Sequence, residues 1–131
     1  MGSARYRILV VDDDLESRNL LCEVLEANGY VAYAVADGVA AREALRNDLS
    51  YRIVIADLQM PKESGLELLR KLRQESSKQA VILMSSFMSD AEMKTAKALG
   101  AQALLEKPFQ IKNLLETVAV VAAQNSVGVA S

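Results

Sequence analysis

Histidine and tryptophan are both absent from the 131-residue chain. Without histidine, the chain has no imidazole general base and no histidine metal ligand, and it cannot carry a phosphohistidine. The one cysteine, Cys22, excludes a disulfide within the chain and fits a reducing compartment. Cys22 lies in an apolar helical pattern, which predicts a buried structural thiol.

Long apolar runs are also missing. No stretch approaches the roughly 18 residues of a membrane-spanning helix, and the opening MGSARYR lacks the apolar core of a signal peptide. We therefore expect a cytoplasmic protein without membrane association. The formal charge of −2 gives no basic excess for direct nucleic-acid binding. The length and the 51% hydrophobic content fit one globular domain.

Short apolar runs alternate with stretches of helical periodicity. The apolar runs predict five strands, at residues 7–11, 31–35, 52–56, 80–84 and 103–105. The helical stretches predict five helices, at residues 15–28, 39–48, 64–74, 90–99 and 110–124. This β-α alternation predicts an α/β fold with a parallel sheet, right-handed crossovers and helices on both faces. Residues 1–4 are expected to be a tag or a disordered start, and 125–131 a disordered tail or the start of a linker.

Chemically active side chains follow four of the five predicted strands. Asp12 and Asp13 follow the first strand, Asp57 the third, Ser85 the fourth and Lys107 the fifth. The carboxyl ends of parallel strands share one edge of the sheet, where ligands bind in open α/β folds. The sequence therefore predicts three carboxylates, a hydroxyl and an ammonium group close together.

Converging carboxylates repel each other unless a cation lies among them. An oxygen-only ligand set without histidine or cysteine favours a hard ion such as Mg²⁺. A carboxylate beside that ion can act as a nucleophile towards phosphorus and form an aspartyl phosphate. A lysine and a serine can supply the remaining charge neutralisation and hydrogen bonding that phosphoryl transfer needs.

Each of these residues also has a plain structural interpretation. An aspartate after a strand is most often a helix N-cap, and Asp14 is predicted to cap the first helix. Asp57 alone could be a turn residue, Ser85 could form a turn with its own backbone, and Lys107 could be solvated. These separate interpretations give no reason for complementary groups at one edge, so we favour the joint functional one.

At these positions the chain resembles the receiver domain of bacterial two-component response regulators, the CheY-like superfamily. The resemblance covers residues 5–124 and rests on the segments ILVVDDD, IADLQMPKESGLELL, VILMSS, LGA and EKPF, in this order and at this spacing. It implies a flavodoxin-like (βα)5 fold, with a doubly wound five-stranded parallel sheet in the strand order 2-1-3-4-5.

The resemblance also implies a metal site. Asp12, Asp13 and Asp57 would hold Mg²⁺ together with the backbone carbonyl of Gln59, and Mn²⁺ is an alternative ion.

The resemblance assigns the phosphoryl chemistry as well. Asp57 would be the phosphoacceptor, and Ser85 and Lys107 would contact phosphoryl oxygens. The Lys107–Pro108 peptide would be cis, which a proline allows at low cost.

Two features depart from the family pattern or leave its details open. Leu104 stands where the family often has a tyrosine or phenylalanine that switches rotamer. Gln59 and residues 86–88 lie where family members tune the lifetime of the phosphoryl group.

The last helix carries apolar residues beyond its core stripe, which predicts either deeper burial or a partner surface; these are Ala119, Val120, Val121 and Ala123.

The function implied by the resemblance is phosphorelay signalling. A histidine kinase or a histidine phosphotransfer protein would donate its phosphoryl group to Asp57, and a chain without histidine can only receive it. The change would shift the face of the fourth helix, fifth strand and fifth helix, and so control an output domain or effector protein. Homodimer formation on phosphorylation is a further expectation. Such a domain catalyses only its own phosphorylation and dephosphorylation.

Three other functions are alternatives for a chain of this pattern. A flavodoxin-like electron carrier needs a phosphate-binding loop after the first strand, where three aspartates would repel a flavin phosphate. A phosphohydrolase of the haloacid-dehalogenase type has Asp-x-Asp after its nucleophile strand, whereas this chain has Asp57, Leu58 and Gln59. A degenerate receiver that acts as a phosphorylation-independent docking module is the remaining alternative, and the complete residue set argues against it.

Overall fold

Five parallel strands form the centre of the molecule in the computed structural model, which describes residues 6–130, the last six of them by backbone only. The strands are β1 (Arg7–Val11), β2 (Val31–Val35), β3 (Tyr51–Asp57), β4 (Ala80–Ser85) and β5 (Ala103–Glu106). Their order in the sheet is β2-β1-β3-β4-β5, and every neighbouring pair is parallel. The predicted fold class and strand order are confirmed.

Five helices connect and follow the strands. They are α1 (Leu15–Ala27), α2 (Gly38–Asn47), α3 (Gly65–Gln74), α4 (Asp90–Ala98) and α5 (Ile111–Ala130). Side-chain caps fix four of the helix starts: Asp14, Asp37, Ser64 and Ser89 each accept a backbone N–H from the first turn. The predicted N-cap role of Asp14 is therefore confirmed.

The helices cover both faces of the sheet. On one face α1 and α5 bury Leu21, Leu25, Leu114 and Val118 against the strands. On the other face α2, α3 and α4 contribute a second cluster that includes Leu45, Leu68, Leu69, Leu72 and Ala96. Because both faces are covered, β1 and β4 can be apolar almost throughout, as the sequence predicted.

The C-terminal helix is longer than its sequence pattern predicted. α5 continues to Ala130, through most of the segment 125–131 for which a disordered tail or linker was expected. That segment contains no proline, and a single glycine does not end a helix by itself. The start predicted for residues 1–4 lies outside the described residues.

Burial on α5 and α1 also refines two predictions. Val121 is 1% exposed and belongs to the core, whereas Val120 is 56% exposed, so the extra apolar residues of α5 divide between the two interpretations. Cys22 packs against the core but is only half-buried, because it lies on the border of the stripe that Leu21 and Leu25 define. Burial nevertheless raises the pKa of its thiol, with the neighbouring charge of Glu26 acting in the same direction.

Arg73, near the end of α3, joins this helix to the connection after α4. Its guanidinium donates to the carbonyl oxygens of Leu99, at 2.9 Å, and Gly100, at 3.3 Å. It also donates to Ser77 and Gln79 in the connection to β4. Four carbonyl acceptors compensate the burial that lowers the pKa of this arginine. The C-terminal end of α4 is therefore anchored to α3.

Candidate phosphoryl and metal site

The carboxyl edge of the sheet brings the predicted site residues together. Asp12 follows β1 directly, Asp57 is the last residue of β3, Ser85 is the last of β4, and Lys107 follows β5. Backbone bonds join these strand ends: Leu58 N–H donates to Met84 O at 2.7 Å, and Lys107 N–H donates to Ser85 O at 2.7 Å. The site is therefore built on the ends of rigid, buried strands.

Three carboxylates and one ammonium group form what we call the acidic cluster. Asp12, Asp13 and Asp57 each offer an oxygen within 4.8 Å of the others. Lys107 Nζ lies 2.6 Å from Asp57 Oδ2 and 3.7 Å from Asp12 Oδ2. Asp12 and Asp57 are buried and Asp13 is exposed. Within this cluster, negative charge exceeds positive charge.

The excess negative charge affects the environment and the pKa of Asp12. Its Oδ1 accepts the backbone N–H of Asp14 at 2.9 Å, but its buried Oδ2 has no hydrogen-bond donor among the residues that the structure describes. Burial is the main cause that raises the pKa of Asp12, and the charges of Asp57 and Asp13 add to it. The bond from Asp14 and the charge of Lys107 only partly offset this rise. A buried carboxylate oxygen without a donor fits a metal ligand.

Lys107 compensates part of the cluster's charge. Burial by itself would lower the pKa of Lys107, but the hydrogen bond and charge of Asp57 and the charge of Asp12 outweigh it and raise the pKa. The ammonium group is therefore held in its charged form between two carboxylates. The Lys107–Pro108 peptide is cis, as the resemblance implied.

The loop between β3 and α3 is folded tightly around Asp57. Gln59 N–H donates to Asp57 Oδ1 at 2.9 Å, and Gly65 N–H donates to Leu58 O at 3.1 Å. A Cβ atom on Gly65 would lie 2.6 Å from the backbone oxygen of Asp57, so only glycine allows α3 to begin there. This loop also places the backbone of Gln59, the remaining predicted metal ligand, two residues after Asp57.

Ser85 lies at the edge of the site, but its hydroxyl is engaged with its own loop. It donates to Phe87 O and accepts the Phe87 N–H at 3.0 Å, which is the turn that the plain interpretation predicted. The side-chain amide of Gln59 donates to Ser85 Oγ at 2.8 Å and to Phe87 O at 3.0 Å. This bridge by the Gln59 side chain was not predicted, since nothing in the sequence indicates which way that amide points.

Leu104 lines a cleft of about 270 Å³ between β5 and α4, together with Ser85, Met88 and Met93. Leu104 also packs against the core cluster under α4. The position where the family often has a switching aromatic residue therefore holds an aliphatic side chain beside an open cleft. Phe87, in the loop before α4, is 71% exposed.

The set of groups has a definite chemical capacity. Asp12, Asp13, Asp57 and the carbonyl of Gln59 supply only oxygen atoms, which are the ligands that Mg²⁺ prefers.

Among the helices of the described residues, none combines the length and the apolar character that a membrane-spanning segment requires.

The comparisons with known proteins agree with this arrangement. The family model described as the response regulator receiver domain matches residues 8–119. The regulatory protein VirG of Agrobacterium tumefaciens is 30% identical over 119 residues, which are 91% of this chain and 44% of VirG. A homolog of the transcriptional regulatory protein CpxR from Haemophilus influenzae is 32% identical over 112 residues, 86% of this chain and 48% of that protein. The chain thus spans less than half the length of these relatives.

A solved structure gives the same result for the fold. The response regulator receiver protein from Pseudomonas putida superimposes with a TM-score of 0.84 and 33% identity, over 89% of this chain and 98% of that one. Receiver domains of this family typically bind Mg²⁺, and the acidic cluster supplies a suitable ligand set. From the matched residues, the similar fold and the site geometry, the chain belongs to the response regulator receiver domain family of two-component signalling.

Proposed function

We propose that the domain accepts a phosphoryl group on Asp57 from the phosphohistidine of a sensor histidine kinase or a phosphotransfer protein. The observation that carries the proposal is the placement of Asp57. Its carboxylate lies at a strand end, 2.6 Å from the Lys107 ammonium and within 4.8 Å of oxygens from Asp12 and Asp13. This arrangement supports the roles proposed for Asp57 as nucleophile, for Lys107 as cation and for the carboxylates as metal ligands.

Asp12, Asp13, Asp57 and the backbone carbonyl of Gln59 would hold Mg²⁺, which would supply charge neutralisation for the transferring group. The orphaned Oδ2 of Asp12 supports that assignment. Asp57 attacks the phosphorus atom through a carboxylate oxygen, and the bond between phosphorus and the donor's imidazole nitrogen breaks. Lys107 then pairs with a phosphoryl oxygen in place of the Asp57 carboxylate. In this scheme the domain catalyses only its own phosphorylation and dephosphorylation.

The output would begin at Ser85. To donate to a phosphoryl oxygen, its hydroxyl must release Phe87 O, because a serine hydroxyl has a single proton to donate. Because Phe87 and Met88 precede the cap of α4, this exchange would draw the start of α4 towards the site. With Leu104 beside the cleft, the shift passes through aliphatic packing instead of an aromatic swing. The face of α4, β5 and α5 would then control an output domain or effector protein.

A small phosphodonor tests the proposal directly. Acetyl phosphate with Mg²⁺ should add one phosphoryl group to the protein, measured by intact mass spectrometry, and a chelator should prevent the addition. Asp57→Asn should abolish it, whereas Asp48→Asn, at the opposite edge of the sheet, should not. Labelling that persists in Asp57→Asn would overturn the assignment, and a wild-type protein that never labels would favour the docking module.

A further inference from the structure

Glu63 is a buried carboxylate in the loop that carries Gln59. It is 5% exposed, and its Oε2 pairs with Lys71 Nζ at 3.0 Å and with Arg42 Nη2 at 3.4 Å. Lys71 belongs to α3 and Arg42 to α2. The loop is therefore joined by one carboxylate to two helices, and we call Glu63, Arg42 and Lys71 the tether.

The other oxygen of Glu63 lies against the start of α2. A Cβ atom on Gly38, the first residue of α2, would come within 2.6 Å of Glu63 Oε1. The φ of Gly38 is not in the left-handed region, so a larger residue here meets a limit of space and not of conformation: the Glu63 side chain would have to shift. Within the described part of the chain, the buried Oε1 has no hydrogen-bond donor. The partial positive charge of a helix N-terminus compensates such an oxygen in part.

The tether holds one end of the loop, and Asp57 holds the other. Gly65 packs on the backbone oxygen of Asp57, and Gln59 N–H bonds to the Asp57 carboxylate. The carbonyl of Gln59 lies between these fixed points. Its direction therefore depends on how the segment from Asp57 to Glu63 is held at its far end.

We propose that Glu63 is a positioning residue for the metal site: it fixes the β3–α3 loop against α2 and α3, and so pre-organises the Gln59 carbonyl as a ligand. The inference rests on the proposed function, because it takes the Gln59 carbonyl to be a Mg²⁺ ligand. A loop that is free to move has to be ordered when the ion binds, which lowers affinity. Because the tether already orders the loop in the metal-free protein, less conformational entropy is lost when the ion binds.

The first test removes the charge and keeps the shape. Glu63→Gln should raise the Kd for Mg²⁺, measured by isothermal titration calorimetry, by about three- to tenfold. That is less than the roughly 10- to 100-fold loss typical of a group bonded directly to a metal ligand. In the metal-free protein, the Gly65 amide should exchange its hydrogen faster, since its bond to Leu58 O reports closure of the loop.

Glu75→Gln is the matched control. Glu75 pairs with Arg46 at 3.0 Å and with Arg42 at 3.9 Å, so it belongs to the same ionic network, but it lies at the C-terminal end of α3 and not in the loop. This variant should leave both the Mg²⁺ affinity and the Gly65 exchange rate unchanged. Equal effects of Glu63→Gln and Glu75→Gln would overturn the inference and leave a general effect of helix stability.

The second test displaces the carboxylate without removing it. Gly38→Ala should push the Glu63 carboxylate away, lower the unfolding temperature and weaken Mg²⁺ binding. In a Glu63→Ala background the space is open, so Gly38→Ala should instead raise the unfolding temperature, because alanine is the better helix former. The same sign in both backgrounds would contradict the contact.

The two proposals fail in different ways. If the wild-type protein binds no Mg²⁺, the proposed function fails, while the exchange and Gly38→Ala experiments still test the loop. If the wild-type protein binds Mg²⁺ and Glu63→Gln binds it equally well with an unchanged Gly65 amide, the positioning role of Glu63 is wrong and the metal site stands.

Discussion

The acidic cluster and the tether both contain a buried carboxylate, but their charge balance is opposite. Around Asp12 the described structure places two further carboxylates and one lysine. Around Glu63 it places an arginine and a lysine. Among the described residues, neither Asp12 Oδ2 nor Glu63 Oε1 has a hydrogen-bond donor. The pKa of Asp12 is raised by burial and by its neighbouring carboxylates, as expected of a group held for a ligand. Glu63 has its countercharges built into the protein, as expected of a structural joint.

The largest expected effect comes from removing the cation of the acidic cluster. Lys107→Met should slow phosphorylation of Asp57 by about 100-fold at saturating Mg²⁺, the usual loss when one group that stabilises transition-state charge is removed. Initial rates with acetyl phosphate would measure it. Lys112→Met, on the exposed start of α5, should have no such effect. A loss below tenfold would mean that Lys107 serves the resting charge balance only.

The second effect is the response of stability to Mg²⁺. The wild-type protein should gain about 2.7 kcal/mol in the free energy of unfolding when free Mg²⁺ is 100 times its Kd. Asp13→Ala should lose most of this gain in urea titrations. Asp14→Ala should lose about 1 kcal/mol through its missing cap and keep the gain. Equal loss of the gain in both variants would mean that the ligands are misassigned.

A smaller effect separates the two regions by its sign. In metal-free buffer at pH 7, Glu63→Gln should destabilise the protein by about 1–2 kcal/mol, a value reduced by the exposure of Lys71. Asp12→Asn should stabilise it, because the neutral amide removes the burial penalty of the charged group, which is the main cause of the raised pKa, and also the repulsion from Asp57 and Asp13. Urea unfolding with a chelator present measures both changes, and destabilisation in both would break the comparison.

The pH dependence of the Asp12→Asn gain follows from the same shift. The folded-state pKa of Asp12 is raised above its unfolded value, so the penalty of the charged group is present above the folded pKa. As the pH falls through that pKa, the wild-type carboxyl binds a proton and the penalty disappears. The gain should therefore shrink towards pH 4, near the ordinary pKa of aspartate, about 3.9.

The smallest effect concerns the bridge next to the acidic cluster. Gln59→Ala removes the donor that joins Ser85 Oγ and Phe87 O, and should cost about 0.5–1 kcal/mol because the bridge is partly exposed. The amide of Phe87 should exchange faster in the metal-free protein, measured by hydrogen exchange. An unchanged Phe87 amide would mean that the turn made by Ser85 alone holds this loop.

The sheet and its acidic edge were predictable from the sequence for a physical reason. A short, continuous apolar run is buried most readily as a strand of a sheet that is covered on both faces. The predicted bounds of β1 and β2 therefore agree with the structure, and β4 ends one residue later than predicted. Asp57, Ser85 and Lys107 follow from those strand ends, since topology alone brings the ends to one edge.

The contacts that hold the loops were not predictable in the same way. In the sequence, nothing distinguishes three of the charged residues from ordinary surface charges: Arg42, Glu63 and Lys71. The sequence pattern does not show that α2 and α3 pack closely enough to bury the Glu63 carboxylate between them. The direction of the Gln59 amide and the half-burial of Cys22 depend likewise on side-chain packing. The predicted end of α5, residue 124, is too early, because the residues that follow it do not sustain an apolar pattern of helical spacing.

Arg73 anchors the C-terminal end of α4 to α3. The nine residues of α4 form a helix about 13 Å long. The Arg73 guanidinium holds its C-terminal end through the carbonyls of Leu99 and Gly100. Its N-terminal end begins after Ser89, which follows the loop beside Asp57. A displacement of about 1 Å at the Ser89 end then turns the helix through about 4° around its anchored end. If the exchange of hydrogen-bond partner proposed for Ser85 moves the Ser89 end, α4 would turn about the end that Arg73 anchors to α3, and its exposed surface would rotate with it.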